Sequence, residues 1–381
     1  MVKLIQLVKI NKIFVDGFKN LRDISFSPSP DYNLILGENA QGKTNLLESL
    51  WIFTGCRSFR GTKERDYFSF SGVPLKINLE FYDGRRTQSL DCIGNINSSK
   101  EKKFFRNDIP VSKTSELFQV FHCVNFTPDD ISLINGSPEV RRNFIDYCLS
   151  QLYPPALSLV RRYQILIAQK NALLRQRGMP SESILNMLGI WDRQIAQVGS
   201  EIALRRSEYV KHLSDKCSEL YKKISSGRED VSFTYHSNIY GKNPVFPKKL
   251  SQEIIDEYYS RLESSRNDDI QTGFTTTGIQ RDDLKIKIND MNAREFGSQG
   301  QKKSLALALK LAQAQIYYDK KQASPVILLD DVMGELDSRR QHVVSTMIDG
   351  MQVFITACSD SALIPEMKGL KIYLNDGKLK L

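Results

Sequence analysis

The chain has 381 residues, of which 41% are hydrophobic and 25% charged, so it is long enough for two domains or for one domain with a large insertion. No apolar run approaches the roughly 20 residues that cross a bilayer, and the lysine-containing N-terminal segment differs from a signal peptide, so we expect a cytoplasmic protein with no membrane partner. The net charge of +9 suits a polyanionic partner without requiring one, and the scattered cysteines and histidines argue against a zinc site or a Ser-His-Asp site.

The N-terminal part of the chain is predicted to be rich in β-strands, because apolar and polar residues alternate there. Lys103–Arg106, followed by Asn107 and Asp108, is typical of the edge of a β-hairpin. The other predicted strands of this part are Leu4–Phe14, Leu75–Phe81, Gln88–Cys92 and Phe121–Phe126.

A glycine-bounded loop follows a short apolar strand near the N-terminus. The predicted strand Asn33–Leu36 precedes the loop, the predicted helix Asn45–Phe53 follows it, and the loop fits the pattern G-x-x-x-x-G-K-[ST]. Such a loop turns backbone N–H groups towards phosphate oxygens, and the helix N-terminus adds partial positive charge. In this pattern Gly42 allows close approach of the backbone, Lys43 reaches the terminal phosphates and Thr44 offers its hydroxyl to Mg²⁺. The predicted ATP-binding residues are Gly37, Glu38, Asn39, Ala40, Gln41, Gly42, Lys43 and Thr44.

The middle of the chain is predicted to be helical and strongly basic. Helical spacing runs from Ser137 to about Lys223, and the Ser137-Pro138 pair is typical of a helix start. Proline and glycine divide the region into separate helices at Pro154-Pro155 and at Gly178-Met179-Pro180, and Ser251–Arg266 predicts one more helix. We therefore expect an ATPase lobe made of residues 1–118 and 281–381, with a mostly helical lobe, residues 119–280, inserted into it.

The last hundred or so residues alternate between helix and strand, which is typical of a parallel, doubly wound α/β sheet. The predicted elements are the helix Gln301–Tyr317, the strand Pro325–Leu329, the helix Ser338–Met351 and the strand Val353–Thr356.

Two carboxylates stand at the end of the strand Pro325–Leu329. A buried strand that ends in acid is where a second Mg²⁺ contact is expected beside a phosphate loop. We predict that Asp330 holds the ion through water and that Asp331 polarises the attacking water, which makes both residues catalytic together with Lys43. The alternative interpretation of the two acids is a solvated strand end.

A second candidate anion site precedes the helix Gln301–Tyr317. Ser298-Gln299-Gly300-Gln301 supplies a hydroxyl, a small residue and a helix N-terminus, although an ordinary helix cap has the same composition. The segment lies 32 residues before Asp330 (330 − 298), and the acidic turn Gly334–Asp337 follows the two acids. This order is that of ABC-type ATPases, in which the signature of one protomer closes on the nucleotide of the other. Thr356 or Ala357 occupies the place of the switch residue of that class.

Longer segments resemble the RecF family of bacterial recombination mediators. Three residues or pairs depart from the family pattern: Gln280 stands for a histidine, Lys302-Lys303 for a Gln-Arg pair and Met333-Gly334 for a Phe-Ser-like pair. The resemblance spans nearly the whole chain and rests on Phe18–Leu21, Gly37–Glu48, Phe126–Asp130, Gly136–Pro138, Arg141–Asp146, Thr277–Leu284, Ser298–Gln301 and Leu329–Asp337.

The resemblance implies an ABC-type P-loop ATPase head with an inserted helical lobe, and ATP with Mg²⁺ as its cofactors. It implies a homodimer that forms with ATP, in which Ser298, Gly300, Gln301 and Asp337 contact nucleotide. It also implies binding to duplex DNA near single-strand gaps, at single-strand/double-strand junctions. With RecO and RecR, such a protein promotes loading of RecA in gap repair, replication restart and the SOS response. The implied ATP turnover is slow, DNA-stimulated and acts as a switch, so the description as an enzyme stays open.

Rival classes fit the spacing less well. In a transporter ATPase subunit the signature lies roughly a hundred residues after the phosphate loop, whereas here the interval is 254 residues (298 − 44). A full SMC or Rad50 protein needs a long heptad array between the motifs, and a metabolic P-loop kinase needs neither the signature nor the acidic turn. A short SMC- or Rad50-like ATPase of chromosome maintenance stays as the alternative.

Basic residues in two N-terminal segments are candidate DNA contacts. They interleave with Phe59, Tyr67 and Phe68, which we interpret as core residues, and the alternative for the charges themselves is a solvated face. The candidates are Arg57, Arg60, Lys63, Arg65, Lys102 and Lys103, with Lys100 and Arg106 beside them.

Overall fold

A computed structural model describes residues 8–69, 72–95, 102–176, 181–360, 363–367 and 369–380. The chain divides into two compact units, the first made of Met1–Asp130 and Leu307–Leu381 and the second of Ile131–Ala306. Predictions that involve residues 4–7, Lys100 and Gly178-Met179-Pro180 lie outside the described residues. In the part of the chain that the structure describes, no helix has the length and apolar character needed to span a membrane.

Every predicted strand and helix within the described residues has a counterpart in the structure. The strands are β1 (Lys9–Asp16), β2 (Ile24–Phe26), β3 (Tyr32–Leu36), β4 (Leu75–Tyr82), β5 (Thr87–Gly94), β6 (Lys102–Arg106), β7 (Ile109–Pro110), β8 (Cys123–Phe126), β9 (Val231–Ser237), β10 (Gly241–Lys242), β11 (Asp283–Ile288), β12 (Met291–Asn292), β13 (Val326–Asp330), β14 (Val353–Ala357), β15 (Leu370–Asn375) and β16 (Lys378–Lys380). The helices are α1 (Lys43–Trp51), α2 (Ser132–Asn135), α3 (Pro138–Leu152), α4 (Pro155–Leu174), α5 (Ser181–Ile224), α6 (Gln252–Ser264), α7 (Arg266–Thr272), α8 (Ala293–Phe296), α9 (Gln299–Lys321) and α10 (Ser338–Met347). Strands β2, β9–β12, β15 and β16 of the structure were not predicted.

The first unit contains a mainly parallel sheet in the order β16-β15-β3-β14-β13-β8. Only β16 pairs antiparallel among these strands. Every residue of β13 and β14 is buried, as expected for parallel strands that are covered on both faces. Asp330 pairs in register with Thr356, and Ala357 with Leu36, so the carboxyl ends of β13, β14 and β3 meet at one edge of the sheet.

The first unit also contains an antiparallel sheet in the order β2-β1-β4-β5-β6-β7. The predicted hairpin is confirmed, because Asn107 and Asp108 connect β6 to β7 with positive φ angles of 48° and 64°. A two-residue turn of this kind needs positive φ at both positions, and Asn and Asp tolerate it better than most residues.

The second unit combines helices α2–α8 with a small antiparallel sheet in the order β10-β9-β11-β12. The predicted break at Pro154-Pro155 is confirmed, since α3 ends at Leu152 and α4 begins at Pro155. Buried ion pairs tie the helices together: Lys170 Nζ lies 2.8 Å from carboxylate oxygens of both Asp192 and Asp269. Such a buried cation is tolerated because it is doubly paired.

The predicted lobe boundaries need correction at both ends of the insertion. β8 was placed in the helical lobe, 119–280, but it belongs to the first unit because it pairs parallel with β13. β11 was placed in the ATPase lobe, 281–381, but it belongs to the second unit because it pairs with β9. The second division falls inside α9, between Ala306 and Leu307. Helix α10 is also shorter than predicted and ends at Met347.

Candidate nucleotide site

The predicted phosphate loop connects β3 to α1, as the sequence pattern requires. Gly42 has a φ of 104°, and a Cβ there would lie 2.9 Å from the side chains of Asn20 and Leu21. A Cβ on Gly37 would lie 2.5 Å from the carbonyl oxygen of Leu374. Ala40 has a φ of 66°, which is uncommon for a residue with a side chain and is found mostly where the surroundings enforce it. The loop is therefore held in one shape by its neighbours.

Lys43 lies across this loop with its ammonium group satisfied by main-chain carbonyls. Its Nζ donates to the oxygens of Gly37 at 2.7 Å and Glu38 at 3.0 Å, and it lies 3.8 Å from Cys358 Sγ. The residue is only 4% exposed. An ammonium is a mobile donor of three hydrogen bonds, so it can exchange these carbonyls for phosphate oxygens without leaving the loop.

Two side chains from different elements, one from α1 and one from β14, meet Asp330 at the end of β13. The hydroxyls of Thr44 and Thr356 each donate to Asp330 Oδ1 at 2.9 Å, and Asp330 is 8% exposed. Burial raises the pKa of the Asp330 carboxyl above its ordinary value; the two hydroxyls oppose this shift, and the charge of Asp331 adds to it. Mg²⁺ takes oxygen ligands and keeps several waters, so a threonine hydroxyl beside a desolvated carboxylate fits this ion.

Asp331 begins the turn that follows β13. Its φ is 53°, and its N–H donates to Thr356 Oγ1 at 2.8 Å. Thr356 therefore joins the two acids, since the hydroxyl that donates to Asp330 accepts from the main chain of Asp331. The sequence had placed Thr356 only as a possible occupant of the switch position. A hydroxyl residue at the end of a strand next to an acidic strand end is the signal that could have given it this role.

The signature segment forms a capping box at the N-terminus of α9. Gln301 N–H donates to Ser298 Oγ at 3.2 Å, and Ser298 N–H donates to Gln301 Oε1 at 2.7 Å, which is the reciprocal pattern of S-x-x-Q. The helix-cap interpretation that the sequence left open is thus observed. It does not exclude an anion site, because a hydroxyl that accepts one hydrogen bond still has a proton to donate. Ser298 and Gly300 are both exposed.

Asp337 caps the next helix. Its carboxylate accepts from Arg340 N–H at 2.9 Å and pairs with the Arg340 guanidinium at 3.2 Å. The predicted contact of Asp337 with nucleotide stays a prediction, as does the contact of Ser298, Gly300 and Gln301 with the nucleotide of another protomer.

The candidate DNA contacts differ from one another in their surroundings. Arg57, Arg60, Lys63, Arg65 and Lys103 are exposed. The Lys102 side chain is 10% exposed, its Nζ lies 2.9 Å from Glu64 and it lies 4.8 Å from the centre of the Tyr67 ring. Lys102 thus has internal partners that would compete with DNA. Tyr67 and Phe68 are buried, as the core interpretation expects, whereas Phe59 is only half-buried.

A buried glutamate connects α1 to the segment that carries Arg57 and Arg60. Glu48 accepts hydrogen bonds from Lys19 and from Ser58, and it is fully buried. Arg60 donates at 3.2 Å to the side chain of Asn45, the residue that follows Thr44. The segment that follows α1 is therefore fixed to the helix that begins at the phosphate loop.

The block Thr277–Leu284, for which the sequence offered only a possible turn, is hydrogen-bonded to several elements of the second unit. Asp282 accepts from Tyr235 Oη at 2.5 Å and from Asn238 N–H at 2.8 Å. Tyr163 Oη donates to Gln280 Oε1 at 2.5 Å. Gln280, where the resemblance implies a histidine, thus contributes to the packing of this unit.

Comparison with known proteins agrees with this arrangement. The family model described as the RecF/RecN/SMC N terminal domain matches residues 9–380. The DNA replication and repair protein RecF of Clostridium tetani is 33% identical over 364 residues, covering 95% of each chain. The chain belongs to the RecF family.

Solved structures place the same fold in two groups of proteins. A structure of the recombination mediator protein RecF with ATP in the RecFOR pathway superposes with a TM-score of 0.87 at 29% identity, covering 100% of this chain and 99% of the other. An SMC head domain with an extended coiled coil, derived from Pyrococcus furiosus, superposes with a TM-score of 0.56 at 15% identity, covering 98% and 96%. The ABC-type ATPase head that the sequence predicts is thereby confirmed for this RecF-family chain.

Proposed function

We propose that this RecF-family protein is an ATP-dependent DNA-binding recombination mediator. The observation that carries the proposal is the meeting of Thr44, Asp330 and Thr356 at the sheet edge beside Lys43. That arrangement supplies a cation site and a phosphate site within one loop and two strand ends, which is what ATP with Mg²⁺ requires. The match to RecF with ATP supports the same ligand.

Each residue of the site has a distinct task in this proposal. Lys43 binds the terminal phosphates, and Thr44 with Asp330 would hold Mg²⁺, which neutralises charge on the phosphates when bound. Asp331 orients the attacking water, and Thr356 fixes the direction of both acids. Ser298 donates its hydroxyl proton to the γ-phosphate bound by a second protomer, so that ATP joins two copies and slow hydrolysis separates them.

The partners follow from the family and from the basic segment after α1. We propose contact with duplex DNA near single-strand gaps through Arg57, Arg60, Lys63, Arg65, Lys102 and Lys103, of which Lys102 has the strongest internal competitors. RecO and RecR would act with the protein to load RecA in gap repair, replication restart and the SOS response, in the cytoplasm. Because the contacts are to phosphates, the logarithm of DNA affinity should fall linearly with the logarithm of salt, at about −0.9 per phosphate.

The decisive experiment measures the mass of the protein in solution with ATP, with ADP and without nucleotide. We expect a dimer with ATP only, and loss of that dimer in Ser298→Arg, which places a cation and added bulk where the other phosphate loop must close. Titration should show unchanged ATP affinity of the Ser298→Arg monomer. A protein that stays monomeric at saturating ATP overturns the switch.

Binding to duplex, single-stranded and gapped DNA, each with and without ATP, tests the mediator function separately. Preference for gapped DNA with ATP is expected. Equal affinity for long intact duplex and gapped DNA would instead favour a short SMC- or Rad50-like protein of chromosome maintenance.

A further inference from the structure

Glu229 lies behind the capping box of α9 and contacts it through one side chain. Gln301 Nε2 donates to Glu229 Oε1 at 2.8 Å, while Gln301 Oε1 accepts from Ser298 N–H at 2.7 Å. The other carboxylate oxygen, Glu229 Oε2, accepts from Tyr221 Oη at 2.6 Å. Tyr221 belongs to α5 and is 1% exposed. A buried tyrosine, a carboxylate and an amide thus form a continuous chain of hydrogen bonds that ends at Ser298.

We propose that Glu229 is a positioning residue for the signature serine, acting through Gln301. This inference rests on the proposed function of Ser298 and adds the residue that prepares it for the γ-phosphate. Glu229 is not part of the signature segment, because it lies 72 residues before Gln301 in the chain.

The reason lies in the two ends of the Gln301 amide. The amide has an acceptor oxygen and a donor nitrogen, and only the oxygen can receive the Ser298 N–H. A carboxylate accepts and cannot donate, so Glu229 binds the nitrogen end and turns the oxygen end towards Ser298. Tyr221 in turn holds the carboxylate in place. Without this selection both orientations of the amide are open, and one of them sets two donors against each other at the start of α9.

Gln301 holds Ser298 at two points: its side-chain Oε1 accepts from the Ser298 N–H, and its main-chain N–H donates to the Ser298 hydroxyl. The main-chain N–H of Gln301 lies 3.2 Å from Ser298 Oγ, so one lone pair of the hydroxyl is used within the cap and its proton is left to be donated. With the Ser298 N–H held by the Gln301 side chain, the backbone that carries this hydroxyl stays in the cap position. A hydroxyl held in this way presents its proton outwards from the helix N-terminus, where an incoming phosphate oxygen would be bound.

Three variants separate orientation from simple charge. Glu229→Gln keeps an acceptor for Gln301 and gives Tyr221 Oη a donor, so ATP-dependent dimerisation should stay within about twofold of the unchanged protein. Glu229→Lys offers only donors, turns the Gln301 amide round and should weaken dimerisation by about tenfold at each composite site. Asp230→Lys is the matched control, because it makes the same charge change at the next residue. The Asp230 side chain is 84% exposed and lies 3.5 Å from Lys222 Nζ.

If Glu229 acted only through its charge, the order would reverse. A carboxylate near an anion site repels phosphate, so both Glu229→Gln and Glu229→Lys would then strengthen dimerisation with ATP. That result overturns the proposal, as does a Glu229→Lys protein that dimerises like the unchanged one while its thermal unfolding is unaltered.

Amide hydrogen exchange gives a second readout that needs no dimer. In the nucleotide-free protein, the peptide that contains Ser298 and Gln301 should exchange about tenfold faster in Glu229→Lys and at the original rate in Glu229→Gln and Asp230→Lys. Unchanged exchange in Glu229→Lys contradicts the positioning role. If the unchanged protein fails to dimerise with ATP while exchange follows the expected order, the composite nucleotide site is wrong and the positioning of Ser298 by Glu229 stands.

Discussion

The two helix N-termini that are proposed to meet one ATP molecule are built in different ways. Helix α1 begins after Gly42, which has no side chain to cap it, and its loop is held by residues around it. Helix α9 begins in a complete capping box that its own Ser298 and Gln301 provide. The first terminus has no side-chain cap, whereas at the second the Ser298 and Gln301 N–H groups are both bonded within the cap and the Ser298 hydroxyl proton is left to donate. We therefore expect the phosphates of ATP to bind tightly at the N-terminus of α1. The contact with α9 should add a smaller contribution to ATP binding.

At the site that contains the first terminus, hydrolysis should depend on Asp331 far more than ATP binding does. Asp331→Asn retains the size of the side chain but removes the carboxylate that orients water, so hydrolysis should slow by about 10²–10⁴-fold. ATP affinity should change little, and the ATP-bound dimer should persist longer. Single-turnover hydrolysis with a parallel nucleotide titration measures both. Normal turnover would move the role to another acid, with Glu335 next in line.

Low pH should destabilise the C-terminal end of α9 more than its N-terminal end. His122 is half-buried, its ring lies 4.5 Å from that of Tyr317 near the C-terminal end of α9, and burial lowers its pKa to about 4. The unfolded chain binds a proton near pH 6.5 and the folded one only near pH 4, so folding stability should fall as pH drops through this window. The loss reaches about 3 kcal/mol at pH 4.

Denaturant unfolding between pH 7 and pH 4 measures this loss, and His122→Phe is the control that should remove most of it. Hydrogen exchange should show the C-terminal part of α9 loosening with acid before the capping box does. Equal pH dependence in His122→Phe would assign the effect to other groups.

The ammonium of Lys43 provides the next largest effect. Each charge-assisted hydrogen bond contributes about 1.5–3 kcal/mol, so Lys43→Ala should weaken ATP binding by roughly tenfold to more than a hundredfold. Lys302→Ala is the matched control, because Lys302 lies in the first turn of α9. It should leave the ATP affinity of the monomer unchanged. If ATP titration gives the same affinity for Lys43→Ala as for the unchanged protein, the assignment of Gly37–Thr44 as the phosphate loop is wrong.

The difference between the two termini also explains what the sequence could predict. The phosphate loop is a local pattern in which strand, glycines, lysine and helix follow one another, so each residue of Gly37–Thr44 could be assigned from neighbours in the chain. The acids at Asp330 and Asp331 could be assigned in the same way, because an apolar strand leads directly into them.

Contacts between distant segments could not be predicted. Alternation in Val231–Ser237 and Asp283–Ile288 was a usable strand signal, but the pairing of β9 with β11 depends on how the helices between them pack. The lobe boundaries were displaced for the same reason, since β8 joins its sheet through β13, late in the chain. The links from Thr356 to both acids and from Glu229 to Gln301 likewise exist only in the folded protein.

The smallest expected effect separates the two tasks of Ser298 most clearly. Ser298→Ala removes the cap and the donated proton together, so the nucleotide-free protein should lose about 1 kcal/mol of stability and the ATP-dependent dimer should weaken. Ser298→Asp keeps the cap, because aspartate is as good an N-cap residue as serine, but it places a negative charge where the γ-phosphate would lie. Stability should then be retained and dimerisation lost. Denaturant unfolding and light scattering with ATP measure the two quantities on the same samples. If Ser298→Asp dimerises with ATP as the unchanged protein does, Ser298 serves α9 as a cap only, and the two termini differ because just one of them binds nucleotide.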